Sequence, residues 1–75
     1  MPSLRLQLDQ AREHVRRTQE RIEEQTDLIA RLRSDGHDTD AAEQLLATFI
    51  DLMAKLTLHL DEMEREAEER ARISN

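Results

Sequence analysis

The fold of this chain is decided by residues 32–40, LRSDGHDTD, which contain its only glycine, Gly36. Glycine adopts the left-handed backbone conformation that commonly ends a helix, and arginines in the preceding turn complement the negative end of a helix dipole. Asp38 or Thr39 can then cap the amino end of a second helix. Because the stop and start signals lie so close together, we expect the two helices to run antiparallel.

Mostly apolar side chains extend from this turn in both directions, at alternating steps of three and four residues. This spacing keeps one stripe of each helix facing a partner helix. The stripe before the turn consists of Leu4, Leu8, Ala11, Val15, Thr18, Ile22, Gln25, Ile29 and Leu32. The stripe after the turn consists of Ala42, Leu46, Phe49, Met53, Leu56, Leu60, Met63 and Ala67.

These two stripes predict an all-α fold, a coiled-coil-like antiparallel helical hairpin. The hairpin is expected to form a single domain over residues 1–75. Helix 1 is predicted at about 3–34, the turn at 35–38 and helix 2 at about 39–72.

Helix 2 carries more apolar surface than helix 1 can cover. An apolar arc wider than the seam between two helices is typical of a bundle. With 75 residues, no cysteine and one aromatic residue, the chain has few other ways to stabilise a small core. We predict that two hairpins associate as a homodimeric four-helix bundle. The predicted interface with the second copy or another partner consists of Leu28, Leu45, Phe49, Leu52 and Met53.

Composition narrows the classes of partner. The net charge of −6 and the absence of Trp and Tyr argue against direct nucleic-acid binding, which depends on basic patches and stacking side chains. The first eight residues contain no apolar run of the signal-peptide type. No stretch has the roughly 18 apolar residues that cross a membrane. We expect a cytoplasmic protein with no membrane partner.

Few residues offer chemistry of their own. The carboxylates alternate with arginines at helical spacing, which is typical of a solvated face, and there is no cysteine or tyrosine. We therefore expect neither an enzyme nor a cofactor or metal. Metal binding at the turn, residues 35–40, or at His14 with His59 stays open as an alternative. Gln25 and Thr18 are expected in the seam, where polar side chains often fix register.

A group of carboxylates lies near the end of helix 2. It consists of Asp61, Glu62, Glu64, Glu66, Glu68 and Glu69. Our first hypothesis is a non-enzymatic dimeric module, a bacterial adaptor or regulator that binds an unidentified protein partner. The alternative is an acidic inhibitor or antiactivator whose carboxylates mask a basic surface of a nucleic-acid-binding or regulatory protein.

The stretch 28–60, LIARLRSDGHDTDAAEQLLATFIDLMAKLTLHL, includes an arginine-rich helix end, a GHDT turn at 36–39 and the segment AEQLLATF at 42–49. In these elements and in the later His59, the chain resembles a group of small uncharacterised alphaproteobacterial proteins. The resemblance covers somewhat under half of the chain. It implies a bacterial, cytoplasmic two-helix protein and supplies no activity.

Overall fold

The computed structural model describes residues 3–73, which form two helices packed against each other as a hairpin. Helix α1 covers Leu4–Ser34 and helix α2 covers Asp40–Ile73. The hairpin measures 61 × 18 × 15 Å, so it is a rod one helix thick and two helices wide. The sequence-based prediction of a helical hairpin is confirmed, and the helix ends lie next to or at the predicted positions.

The two ends of α1 are closed by local hydrogen bonds. At the start, the Ser3 hydroxyl oxygen accepts a hydrogen bond from the Leu6 amide at 3.1 Å. At the end, the His37 amide donates to the Leu32 carbonyl at 2.9 Å, and the Gly36 amide donates to the Arg33 carbonyl at 3.1 Å. These last two bonds form a Schellman motif, which satisfies carbonyl groups at the end of the helix.

Gly36 makes this turn possible. Its φ is +78°, in the left-handed region where a side chain is strained, and it follows directly after the cap residue Asp35. The chain reverses direction between Ser34 and Asp40. At the start of α2 the Asp38 carboxylate accepts a hydrogen bond from the Asp40 amide at 2.9 Å. Asp38 therefore caps the second helix, as one of the two predicted residues.

The seam between the helices follows the two predicted stripes. Every residue of both stripes is buried or half-buried. The buried side chains all belong to α1, whereas none of the described residues of α2 is fully buried. α2 therefore keeps part of its apolar surface open to solvent, including Leu45, Ile50 and Leu52. The buried residues are Leu8, Thr18, Gln25 and Ile29.

Candidate interaction surface

Two ion pairs join the helices along one face of the hairpin. Arg33 Nη2 lies 2.7 Å from Glu43 Oε1, and Arg12 Nε lies 3.6 Å from Glu64 Oε1. The two arginines are three heptads apart on α1, and the two glutamates are three heptads apart on α2. The pairs therefore share one face, and the register between the helices is constant from one pair to the other.

We call this the ion-paired face. Between its two ion pairs, Val15, Met53 and Leu60 line an apolar groove that opens to solvent. The groove is bordered by polar and charged side chains: Arg12, Arg16, Gln19, Glu20, Glu23 and Thr57. Ile50 belongs to the same face because it follows Glu43 by one heptad.

The opposite face is apolar near the turn. Two neighbouring recesses meet at Phe49. One has a volume of about 180 Å³ and is lined by His14, Arg17, Thr18, Arg21, Phe49 and Leu52. The other is lined by Arg21, Glu24, Gln25, Leu28, Arg31 and Phe49. Leu45 lies on the same stripe of α2 as Leu52, one heptad earlier.

We call this the leucine face and define it by Leu28, Leu45, Phe49 and Leu52. Its three leucines are exposed, and Phe49 is half-buried. Within residues 14–59, all of which the structure describes, the helices form no ion pair across this face. Large apolar side chains at such exposed positions mark a surface that another helix can cover.

The five predicted interface residues do not share one face. Leu28, Leu45, Phe49 and Leu52 lie together on the leucine face. Met53 instead lines the groove on the ion-paired face, beside Val15 and Leu60. One residue advances an α-helix by about 100°, so Met53 is turned away from Leu52. The apolar excess of α2 is thus divided between the two faces.

Arg21 and Arg31 line the recesses of the leucine face without a partner in the hairpin. Neither side chain forms a hydrogen bond or ion pair with any residue of 3–73, and the same is true of Glu24. Arg21 was not among the predicted site residues. The signal for it was available in the sequence, because Arg21 lies in the same heptad position as Leu28.

The neighbouring arginines are held within α1. Glu13 accepts hydrogen bonds from Arg16 at 2.6 Å and from Arg17 at 3.0 Å. These two guanidinium groups lower the pKa of the Glu13 carboxyl to about 2. The hydrogen bond to Glu13 also raises the pKa of Arg16, which pairs with Glu20 as well. Arg17 therefore reaches the recess already paired, whereas Arg21 reaches it without a partner.

Two polar side chains are buried in the seam, as predicted, and both are hydrogen-bonded. Gln25 Nε2 donates to the Ala42 carbonyl at 2.9 Å, which links α1 to the first turn of α2. The Thr18 hydroxyl donates to the His14 carbonyl at 2.9 Å, within α1. In the part of the chain that the structure describes, no buried side-chain nitrogen or oxygen lacks a partner. Gln25 is thus the polar residue that can fix the register between the helices.

The alternative metal sites gain no support from the geometry. Among residues 3–73 there is no group of three or more histidine, aspartate or glutamate side chains placed to hold a metal ion. In the turn, the Asp38 carboxylate is used for capping. His14 lines the recess beside Phe49, and His59 is not among the residues that line it.

The acidic residues near the end of α2 are partly neutralised. Three of the six form ion pairs with arginines, Asp61 with Arg65, Glu64 with Arg12 and Glu66 with Arg70. The carboxylates of the other three make no ion pair with the described residues: Glu62, Glu68 and Glu69. The acidic surface is consequently smaller than the sequence suggests.

Neither helix, over the residues that the structure describes, has an apolar stretch that could span a membrane. Comparison with protein families, with curated proteins and with solved structures finds no match to this chain. The resemblance to small alphaproteobacterial two-helix proteins stays a prediction. Function is therefore inferred from the two faces of the hairpin.

Proposed function

We propose that this chain is a non-enzymatic helical-hairpin module that acts through protein–protein interaction. In this proposal, two copies pair through their leucine faces and form a four-helix bundle. The pair serves as an adaptor or regulator in the bacterial cytoplasm. The observation that carries the proposal is the clustering of Leu28, Leu45, Phe49 and Leu52 on one face, while the ion pairs between the helices lie on the other.

The energetic reason is the apolar area that the single hairpin leaves in water. Leu45 is 45% exposed and Leu52 is 38% exposed. Covering the exposed part of such a leucine contributes on the order of 1 kcal/mol to association. In a symmetric dimer each of these leucines is present in both copies, so the contribution is made twice. An exposed apolar face of this kind favours association.

A pair of matched substitutions on α2 tests the proposal. Leu52→Glu places a charge on the leucine face, and Ile50→Glu places the same charge on the ion-paired face. The two side chains are comparably exposed, at 38% and 51%. We expect sedimentation equilibrium to show a dimer for the parent chain. The dissociation constant should rise about 100-fold or more in Leu52→Glu, because a charge is then buried without a partner, and change little in Ile50→Glu.

Helicity measured by circular dichroism provides the control, because both variants should remain helical. A parent chain that is monomeric at about 100 µM would contradict the proposal, since that concentration lies far above the dissociation constants of stable dimers. So would equal weakening by the two substitutions, which would mean that neither face is specific.

A second candidate function is the acidic mask. Glu62, Glu68 and Glu69 support it, because their carboxylates are not neutralised by the described residues. A charge-based complex with a basic protein should dissociate as salt rises, whereas an apolar contact should persist. A partner retained on the immobilised chain in about 0.5 M NaCl supports the leucine face. A partner released by that salt, and lost from a Glu62→Gln, Glu68→Gln, Glu69→Gln variant, supports the mask.

A further inference from the structure

The leucine face is uneven along its length. Leu28 and Leu45 lie nearest the turn, and the recess beside Phe49 places Arg21 level with Leu52. His14 and His59 each lie one heptad farther from the turn than Arg21 and Leu52, so they share the next level. Phe49 is near the midpoint between Leu45 and Leu52 on α2, and Glu24 is near the midpoint between Arg21 and Leu28 on α1. The apolar part of the face is therefore centred on the level of Phe49 and Glu24.

Two leucine faces related by a two-fold axis can stack in two ways, with their turns at the same end or at opposite ends. The distribution of residues along the face favours one of these arrangements. If both turns lay at the same end, each residue would meet residues of its own level. Arg21 and its counterpart would then share one layer with Leu52, with no carboxylate at that level. The next layer would contain four histidines. Such an arrangement packs the arginines against Leu52 and buries them in a layer without a carboxylate, which is costly.

If the turns point in opposite directions, residues nearer the turn of one copy meet residues farther from the turn of the other. Stacking α2 on the second copy's α2, with the axis at Phe49, places Leu45 on the partner's Leu52 and the two phenylalanines beside each other. Stacking α1 on the second copy's α1 places Arg21 near the partner's Glu24, which lies close to the axis. Both of these charged side chains lack a partner in the single hairpin, within residues 3–73. In this arrangement the two leucines of α2 meet each other, and Arg21 lies at the level of the partner's Leu28 and within one helical turn of the partner's Glu24.

We propose that the hairpins pair antiparallel and staggered, with the two-fold axis at Phe49 and with Arg21 of each copy bound to Glu24 of the other. This inference rests on the proposed dimerisation through the leucine face. Only the halves nearest the turns overlap. The open ends, which carry the acidic residues 61–69, extend from the central bundle in opposite directions.

The stagger predicts a long distance that spectroscopy can measure. Glu69 lies on α2 far beyond Phe49, toward the open end of the hairpin. At about 1.5 Å of rise per residue, the two Glu69 positions of a staggered dimer are about 60 Å apart along its axis. Hairpins that pair antiparallel with full overlap, centred near Thr57, place them about 36 Å apart. Hairpins with both turns at one end place them within about 20 Å, two helix diameters.

The experiment is double electron–electron resonance on the full chain with one spin label at Glu69→Cys, which is a unique site because the chain has no cysteine. A main distance at the longest of the three values supports the stagger. A main distance at either of the two shorter values overturns it while leaving the proposed dimer intact. A monomer by sedimentation overturns both, so the two failures can be told apart.

A mixing experiment tests the ion pairs between copies. Arg21→Glu alone or Glu24→Arg alone places like charges opposite each other, and each should raise the dimer dissociation constant about tenfold. A mixture of these two variants restores both opposite-charge contacts in a heterodimer. We expect the heterodimer to bind within about threefold of the parent. A heterodimer as weak as either homodimer would overturn the assignment of Arg21 to the partner's Glu24.

Discussion

The two faces of this hairpin flank the same seam and differ in the residues directly beside it. On the ion-paired face, α2 presents Glu43, Ile50, Thr57 and Glu64 beside the seam. On the leucine face, the equivalent stripe of α2 presents Leu45 and Leu52. The helix length and register are shared by both faces, so the contrast arises from side chains alone. Within residues 14–59, the ion-paired face thus carries charged and polar side chains beside the seam where the leucine face carries leucines.

This difference shows what each set of flanking residues does. The ion pairs on the ion-paired face are exposed, and exposed pairs of this kind contribute little to stability. In the proposed dimer, their role is to keep charge next to the groove of Val15, Met53 and Leu60, where a second apolar surface would otherwise dock. The leucines have the opposite effect, since they extend the apolar seam outward. For the proposed dimer, we expect specificity to depend on the charged face as well as on the apolar one.

Both faces exist only while the seam between α1 and α2 is intact. The largest expected effect on stability therefore comes from weakening that seam. Ile29→Ala removes one of the most buried apolar side chains, which is 6% exposed. We expect the free energy of unfolding to fall by about 2–4 kcal/mol, because a cavity replaces packed methyl groups. Chemical denaturation followed by circular dichroism measures this change.

Ile50→Ala is the matched control for this substitution, because it makes the same chemical change on the exposed ion-paired face. Its cost should be below about 1 kcal/mol. Equal losses in the two variants would mean that the hairpin is not held together by its seam, and the distinction between the faces would lose its structural basis.

A smaller effect is expected from Gln25, which lies in the seam between the two faces. Gln25→Leu should raise the free energy of unfolding by about 1 kcal/mol, because apolar burial replaces a polar side chain. The Ala42 carbonyl keeps its bond within α2, so the substitution leaves no buried acceptor unpaired. More than one arrangement of the two hairpins should then be populated. Spin labels at Glu69→Cys should show this as a broader distance distribution. Unchanged stability and an unchanged distribution would show that Gln25 does not specify the pairing.

Much of the hairpin follows from local sequence signals. Ser3, Gly36 and Asp38 each perform the capping or turn role that their residue types predict, because these roles depend on hydrogen bonds within a few residues. The seam follows from the spacing of apolar residues alone. The caps depend on neighbouring residues and the seam depends on a regular spacing. Both can therefore be predicted from a single sequence.

The division of the apolar residues between faces is less evident from the sequence. The apolar excess of α2 predicts Met53 and Leu52 in one interface, although about 100° of helical rotation separates them. The uncommitted Arg21 and the neutralised Glu64 depend on which side chains meet across the hairpin. Such contacts are set by register and rotamer, which the heptad pattern restricts without fixing.

The smallest expected effect concerns the ion-paired face itself. The Arg33–Glu43 pair, at 2.7 Å, joins two exposed side chains across the ends of the helices. A double-mutant cycle with Arg33→Ala and Glu43→Ala should give a coupling free energy of about 0.5 kcal/mol, which decreases as salt is raised. Thermal or chemical unfolding of the parent, the two single variants and the double variant, at low and high salt, measures this coupling free energy. A coupling several times larger than this, and unchanged at high salt, would mean that the ion-paired face contributes to stability as the seam does. The charged side chains would then hold the hairpin together, and keeping a second hairpin away would no longer explain their position.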